Sequence, residues 1–185
     1  IGAVRGQHDG AGFGAINRGD QLDRLDDANR LFAAAFDALP EKAPAVLDAW
    51  GLALISARRY QEAADVYRRG MDGERFPSRS SEFQLLVAST LALSGETDAG
   101  LLAARQAAES APESVRAARR AADILAYAER TYEAAVAYAE VIERFGDRDD
   151  DEIRDELRAV RAALADLETT RGHAAEAEQW LEQIL

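Results

Sequence analysis

Apolar and small residues recur along this chain at helical spacing, in runs separated by short polar knots. The stretch "WGLALISARRYQEAADVYRRG" at 50–70 shows the pattern most clearly. Trp50, Gly51, Leu54 and Ile55 mark a first run, and Tyr60, Ala63, Ala64, Tyr67 and Gly70 a second, with "ARR" between them. Residues three or four apart lie on one side of an α-helix, so each run predicts an amphipathic helix and the knot a tight turn. The second half of the pattern returns along the chain. Leu25, Ala28, Phe32 and Ala35 form one copy, and Gly100, Ala104 and Ala107 another. Tyr132, Ala135, Tyr138 and Ile142 form a third, and Ala177, Trp180, Leu181 and Ile184 a fourth. The middle small residues stand at 28, 63, 100, 135 and 177, with intervals of 35, 37, 35 and 42.

Small side chains such as Gly51, Ala63, Ala88, Ala135 and Ala177 allow two helix backbones to approach, and an aromatic one turn later fills the space beside them. A single hairpin cannot cover its own apolar face, so such units stack. A plain helical bundle would also suit alanine-rich runs, but the recurrent interval and the punctuation at Gly95, Gly146 and Gly172 favour a stack of hairpins. Leu47, Trp50-Gly51, Leu54, Ala63, Tyr67 and Pro77 resemble the tetratricopeptide repeat, which has two helices per unit of about 34 residues, with leucine and tryptophan exchanged. The resemblance implies an all-α, right-handed superhelical solenoid of antiparallel hairpins. Units are expected at about 21–40, 44–77, 81–112, 115–146 and 153–185. A longer helix from about 150 to 170 would absorb the interval of 42. Residues 1–20 hold six glycines, each about 1 kcal/mol worse than alanine in a helix, and predict a flexible tail or an incomplete first helix.

Composition narrows the function. Of the 185 residues 40 are alanine and four proline, which raises helix propensity throughout; 48% are hydrophobic and 30% charged, the ordinary profile of a soluble protein. The net charge of −12 argues against nucleic acid and anionic lipid surfaces, because phosphate contacts need a basic face. No apolar run approaches the roughly 20 residues that span a bilayer. The absence of cysteine removes thiol nucleophiles, disulfides and thiolate metal sites, and leaves both cytoplasm and cell envelope open. The chain begins at Ile1 and not Met, so a piece of a longer protein or a processed form is expected.

Chemistry-bearing motifs do not assemble. The glycines at 10, 12 and 14 lack the last glycine of a dinucleotide loop and no strand precedes them; "DRDDDE" at 147–152 lacks the spacing of a calcium loop and reads as helix capping. His8 and His173 stand far apart with no patterned partners. No catalysis, cofactor or metal is expected from this chain itself.

The surface remains. The resemblance implies that the first helix of each hairpin lines a concave groove that takes an extended peptide or a partner helix. One subtype holds a terminal carboxylate with lysine and asparagine; helices 44–57, 81–94, 115–128 and 153–170 contain neither, so that subtype is not expected. The groove candidates are Asp48, Leu52, Ile55, Ser89, Leu93, Arg119, Arg120 and Tyr127, although Leu52, Ile55 and Leu93 suit packing between hairpins equally well. Arg116, Arg119 and Arg120 form the only local basic cluster, either paired with nearby glutamates or open to an acidic partner segment. Trp180, Leu181, Ile184 and Leu185 span more than one side of the last helix, which predicts self-association through the C-terminal hairpin. The sequence therefore points to a protein–protein interaction scaffold. The alternatives are a self-association segment of a longer bacterial protein, or the helper domain of an enzyme on flanking sequence.

Overall fold

The computed structural model describes residues 18–148 and 150–184, with side chains from residue 24 onward except at 152. The expected tail at 1–17 and the association residue Leu185 lie outside the described residues. All regular structure among the described residues is helical: α1 (Arg18–Ala38), α2 (Ala43–Ser56), α3 (Tyr60–Arg68), α4 (Ser80–Leu93), α5 (Thr97–Ser110), α6 (Val115–Tyr127), α7 (Thr131–Phe145), α8 (Asp151–Thr170) and α9 (Ala174–Glu182). Short 3-10 turns at Pro40–Lys42 and Arg69–Met71 join them. Each helix packs on its chain neighbours, so α2/α3, α4/α5, α6/α7 and α8/α9 form antiparallel hairpins stacked in chain order, with α1 against the first.

The turns inside these hairpins share one geometry. Arg58, Gly95, Glu129 and Gly172 each adopt a left-handed conformation, with φ of 60°, 90°, 58° and 83°. The residue that follows each of them donates its amide to a carbonyl five positions back: Arg59 to Leu54, Glu96 to Leu91, Arg130 to Leu125 and His173 to Glu168, at 2.8–3.0 Å. This closure satisfies the carbonyls that a helix end leaves unpaired. Gly146 does not belong to this set; it caps α7 with an ordinary helical φ of −61°.

The turns also fix the register of the small residues. Ala63, Gly100, Ala134 and Ala177 occupy the same place after the turn, each donating its amide to the carbonyl of the residue that follows the left-handed one. The fourth unit is thus read one residue earlier than the sequence pattern suggests, with Ala134 and not Ala135 at the junction. Both are buried, so the alanine pair hides the slip. Tight approach is evident at these positions: a β-carbon on Gly100 would meet the Ala88 carbonyl oxygen at 2.7 Å, and one on Gly51 would overlap the Tyr67 ring.

The apolar interior divides at α4. Phe83, Val87 and Leu91 join Phe36, Trp50, Tyr67 and Phe76 in an aromatic-rich N-terminal core. Ala88 and Ala92 of the same helix join a C-terminal core with Leu101, Ile124, Tyr138, Phe145, Leu157 and Leu164. α1 is fixed to the first hairpin by the stacked rings of Phe32 and Trp50, centroids 6.2 Å apart, and by the Trp50 indole N–H donating to Asn29 Oδ1 at 2.8 Å. Between units, Arg59 pairs with Asp26 and Arg130 with Asp98, while each also pairs three residues on within its own unit, with Glu62 and Glu133.

Candidate functional site

The first helices of the hairpins form one side of the stack. Among the described residues α4 approaches α6 and α6 approaches α8 more closely than the second helices α5, α7 and α9 approach one another, while α2 and α4 do not approach in this way. The first helices, α2 by its place in the repeat, thus share one face of the stack. That face carries the residues singled out from the sequence, but it does not treat them alike.

Asp48 on α2 is half-buried and accepts both Arg79 Nη2 contacts, at 3.0 and 3.3 Å, while Arg79 also pairs with Glu82. The carboxylate is thereby committed within the protein. Its charge, together with burial as the larger cause, pushes the Tyr67 phenol above its ordinary range. Leu52 is 61% exposed, one helical turn from the half-buried Ile55. Both lie on α2, and neither lines the cavity farther along the face.

That cavity, of about 190 Å³, lies between α4 and α6 and brings together Ser89, Leu93, Arg120 and Tyr127, with Asp123 and Ile124 completing it. Tyr127 is 60% exposed at its rim. The Ser89 hydroxyl donates to the Leu85 carbonyl at 2.9 Å, which leaves the hydroxyl oxygen only an acceptor's role toward any further group.

Of the three clustered arginines, two have carboxylates at hydrogen-bond distance. Arg116 Nε reaches Glu156 at 3.1 Å, and Arg119 Nη1 reaches the other oxygen of the same carboxylate at 2.7 Å. Arg119 Nε also donates to Asp123 Oδ2 at 3.3 Å. The second oxygen of Asp123 accepts the Tyr138 hydroxyl at 2.8 Å. Burial, with the Asp123 charge beside it, pushes the Tyr138 phenol far above its ordinary value. Arg120 is left with an ion pair to Asp123 at 3.9 Å, beyond hydrogen-bond distance, and its Nε is buried without a partner.

Sequence reasoning identified the arginine cluster but not what holds it. Asp123 stands at i+3 and i+4 from Arg120 and Arg119, a spacing that signals helical ion pairs. Glu156 belongs to α8 and has no local signal. Glu168 was missed as well: it is buried in the last hairpin turn where earlier turns have leucine, and it bonds Arg171 at 2.6 Å and His173 Nδ1 at 2.7 Å. Asp150 Oδ1 accepts from the Ile153 amide at 3.3 Å at the start of α8, in the manner of a cap. On α9, Trp180 packs against the C-terminal core while Leu181 is 52% exposed and Ile184 half-buried. Among the described residues no helix is long and apolar enough to cross a membrane, and no group of three His, Cys, Asp or Glu is placed to hold a metal.

No protein-family model matches the chain, and no curated protein matches it. Solved structures do. The structure of YrrB, a TPR protein with an unusual peptide-binding site, aligns over 89% of this chain and 78% of its own at 15% identity, with a TM-score of 0.51. MamA from AMB-1 aligns over 89% of both chains at 16% identity and a TM-score of 0.53. MamA from MSR-1 covers 89% of this chain and 94% of its own at 13% identity, with a TM-score of 0.50. Identities this low speak for the fold, which agrees with the stacked hairpins, the shared turn and the small residues at each junction. The chain has the tetratricopeptide-repeat fold, an all-α solenoid of antiparallel helix pairs.

Proposed function

We propose that this chain is a protein-interaction scaffold that holds an extended peptide or a partner helix along its first helices. The observation that carries the reading is the row of accessible apolar side chains there. Leu52 on α2, Leu93 on α4 and Tyr127 on α6 stand on successive first helices, and two of the three are about 60% exposed in a chain of net charge −12. Apolar groups presented along one face of a stack suit a segment that lays its own side chains between them. The fold likeness to YrrB, whose structure has a peptide-binding site, supports the same assignment.

A random peptide library displayed on phage, panned against the intact chain, tests this reading. Selected peptides should bind Leu52→Asp and Leu93→Asp at least about tenfold more weakly, a difference of roughly 1.4 kcal/mol. They should bind Leu102→Asp unchanged, since Leu102 is an equally exposed leucine on the second helix α5. Selected peptides that depend on Leu102 and ignore Leu52 and Leu93 would overturn the assignment.

A second reading, self-association through the C-terminal hairpin, is favoured by the exposure of Leu181 beside core-packed Trp180.

A further inference from the structure

We infer that the cavity between α4 and α6 is a subsite for an acidic side chain, and that the partner segment carries a glutamate or aspartate next to an apolar residue. This rests on the first-helix reading given above and adds its chemistry. An arginine side chain has five N–H donors, and a buried one without an acceptor is unfavourable. Arg116 and Arg119 have carboxylates at hydrogen-bond distance; Arg120 has none. The reason is geometric. Asp123 is the nearest acid, but one of its oxygens is taken by the Tyr138 hydroxyl and the other by Arg119 Nε. Asp123 is thus shared among Tyr138, Arg119 and Arg120, and the Arg120 guanidinium stands at the cavity wall with its Nε buried and unpartnered.

The surroundings specify what accompanies the acid. Beside Arg120, Asp123 and Ser89, the side chains of Ala92, Leu93, Ile124 and Tyr127 make the lining apolar, so the neighbouring partner residue is aliphatic or aromatic. Ser89 has spent its proton on Leu85, so it can accept a backbone N–H from the incoming chain but cannot donate to its carboxylate. The incoming carboxylate meets Arg120, the cation of the lining, and shares it with Asp123 on the same wall. A free chain terminus would supply the same group, but the cavity lies along the face of the first helices, between two of them, open to a segment that passes through; the inference commits to an internal side chain.

Three probes in a titration of the ¹⁵N-labelled intact chain decide the matter. They are acetyl-Gly-Ser-Phe-Glu-Leu-Ser-Gly-amide, the same peptide with Gln in place of Glu, and a peptide ending in Phe-Leu with a free carboxylate as its only acid. The glutamate probe should shift the Arg120 Nε–H signal and the amides of Ser89, Leu93 and Tyr127 saturably. The glutamine probe should bind about tenfold more weakly, as expected for a lost charge-assisted hydrogen bond. Arg120→Gln should remove the preference and Arg120→Lys keep part of it, with unchanged helical circular dichroism in both. Equal affinity for the Glu and Gln probes, an undiminished preference in Arg120→Gln, or preference for the terminal carboxylate would each overturn the inference. The outcomes also separate it from the broader reading. Library peptides that depend on Leu52 and Leu93 but show no acid preference at Arg120 sink only the subsite; peptides that ignore the first helices sink both.

Discussion

Tyr138 donates its hydroxyl to Asp123 across 2.8 Å, from the second helix of a hairpin to the first, with the tyrosine 3% exposed. The bond holds the phenol in its neutral form. Burial and the adjacent negative charge both penalise the phenolate, so its folded-state pKa lies above the unfolded value of about 10.

The sign of the resulting pH effect is fixed. Above about pH 10 the unfolded chain releases the proton and the folded chain does not, so stability falls as pH rises, by up to about 1.4 kcal/mol per unit from this group. Tyr67, shifted in the same direction, adds to the fall. Urea unfolding between pH 9 and about 11.5 should show this decline, and Tyr138→Phe should make it shallower. An unchanged slope in that variant would show that the tyrosine ionises as freely folded as unfolded.

Gly51→Ala should destabilise by about 1–3 kcal/mol, because the added methyl falls on the ring of buried Tyr67. Gly95→Ala meets no neighbouring atom but must adopt φ near 90°, and should cost about 1–2 kcal/mol through backbone strain alone. Adding Tyr67→Phe separates the mechanisms: it should soften the first penalty slightly and leave the second untouched, as read by thermal melting.

Arg58 and Glu129 hold the left-handed turn position that Gly95 and Gly172 hold elsewhere, and both side chains are exposed. Arg58→Gly and Glu129→Gly should each raise stability by about 0.5–1 kcal/mol, the relief of strain outweighing the greater freedom of glycine when unfolded. A drop in melting temperature for either would indicate an unrecognised side-chain contact at the turn.

Self-association, if it uses the last hairpin, should depend on Leu181 more than on Trp180, because Trp180 is engaged with the core. Sedimentation at high concentration should show dimers or larger species in the parent and a monomer in Leu181→Glu. A parent that stays monomeric throughout would dispose of this reading.

Repetition made the fold legible from sequence. Ala63, Gly100 and Ala177 mark backbone approaches that only small residues permit, and the same demand recurs at each junction. The one-residue slip at Ala134 and Ala135 arises because either alanine satisfies a steric rule that carries no direction. The left-handed turns at Arg58 and Glu129 escaped notice since neither residue type announces that conformation. At the candidate site, Arg120 was visible as part of a basic cluster. Its unpartnered Nε was not, because it depends on Tyr138 and Glu156 reaching the same layer from two other helices, and distances between layers have no local signature.

The sharing of α4 between two interiors makes this helix a coupling in an otherwise segmented spring. Phe83 and Leu91 face rings on one side while Ala88 and Ala92 face the later hairpins on the other. When each layer leans only on its neighbours, opening proceeds block by block. Opening can therefore proceed block by block only as far as α4, because loss of that helix strips both interiors at once.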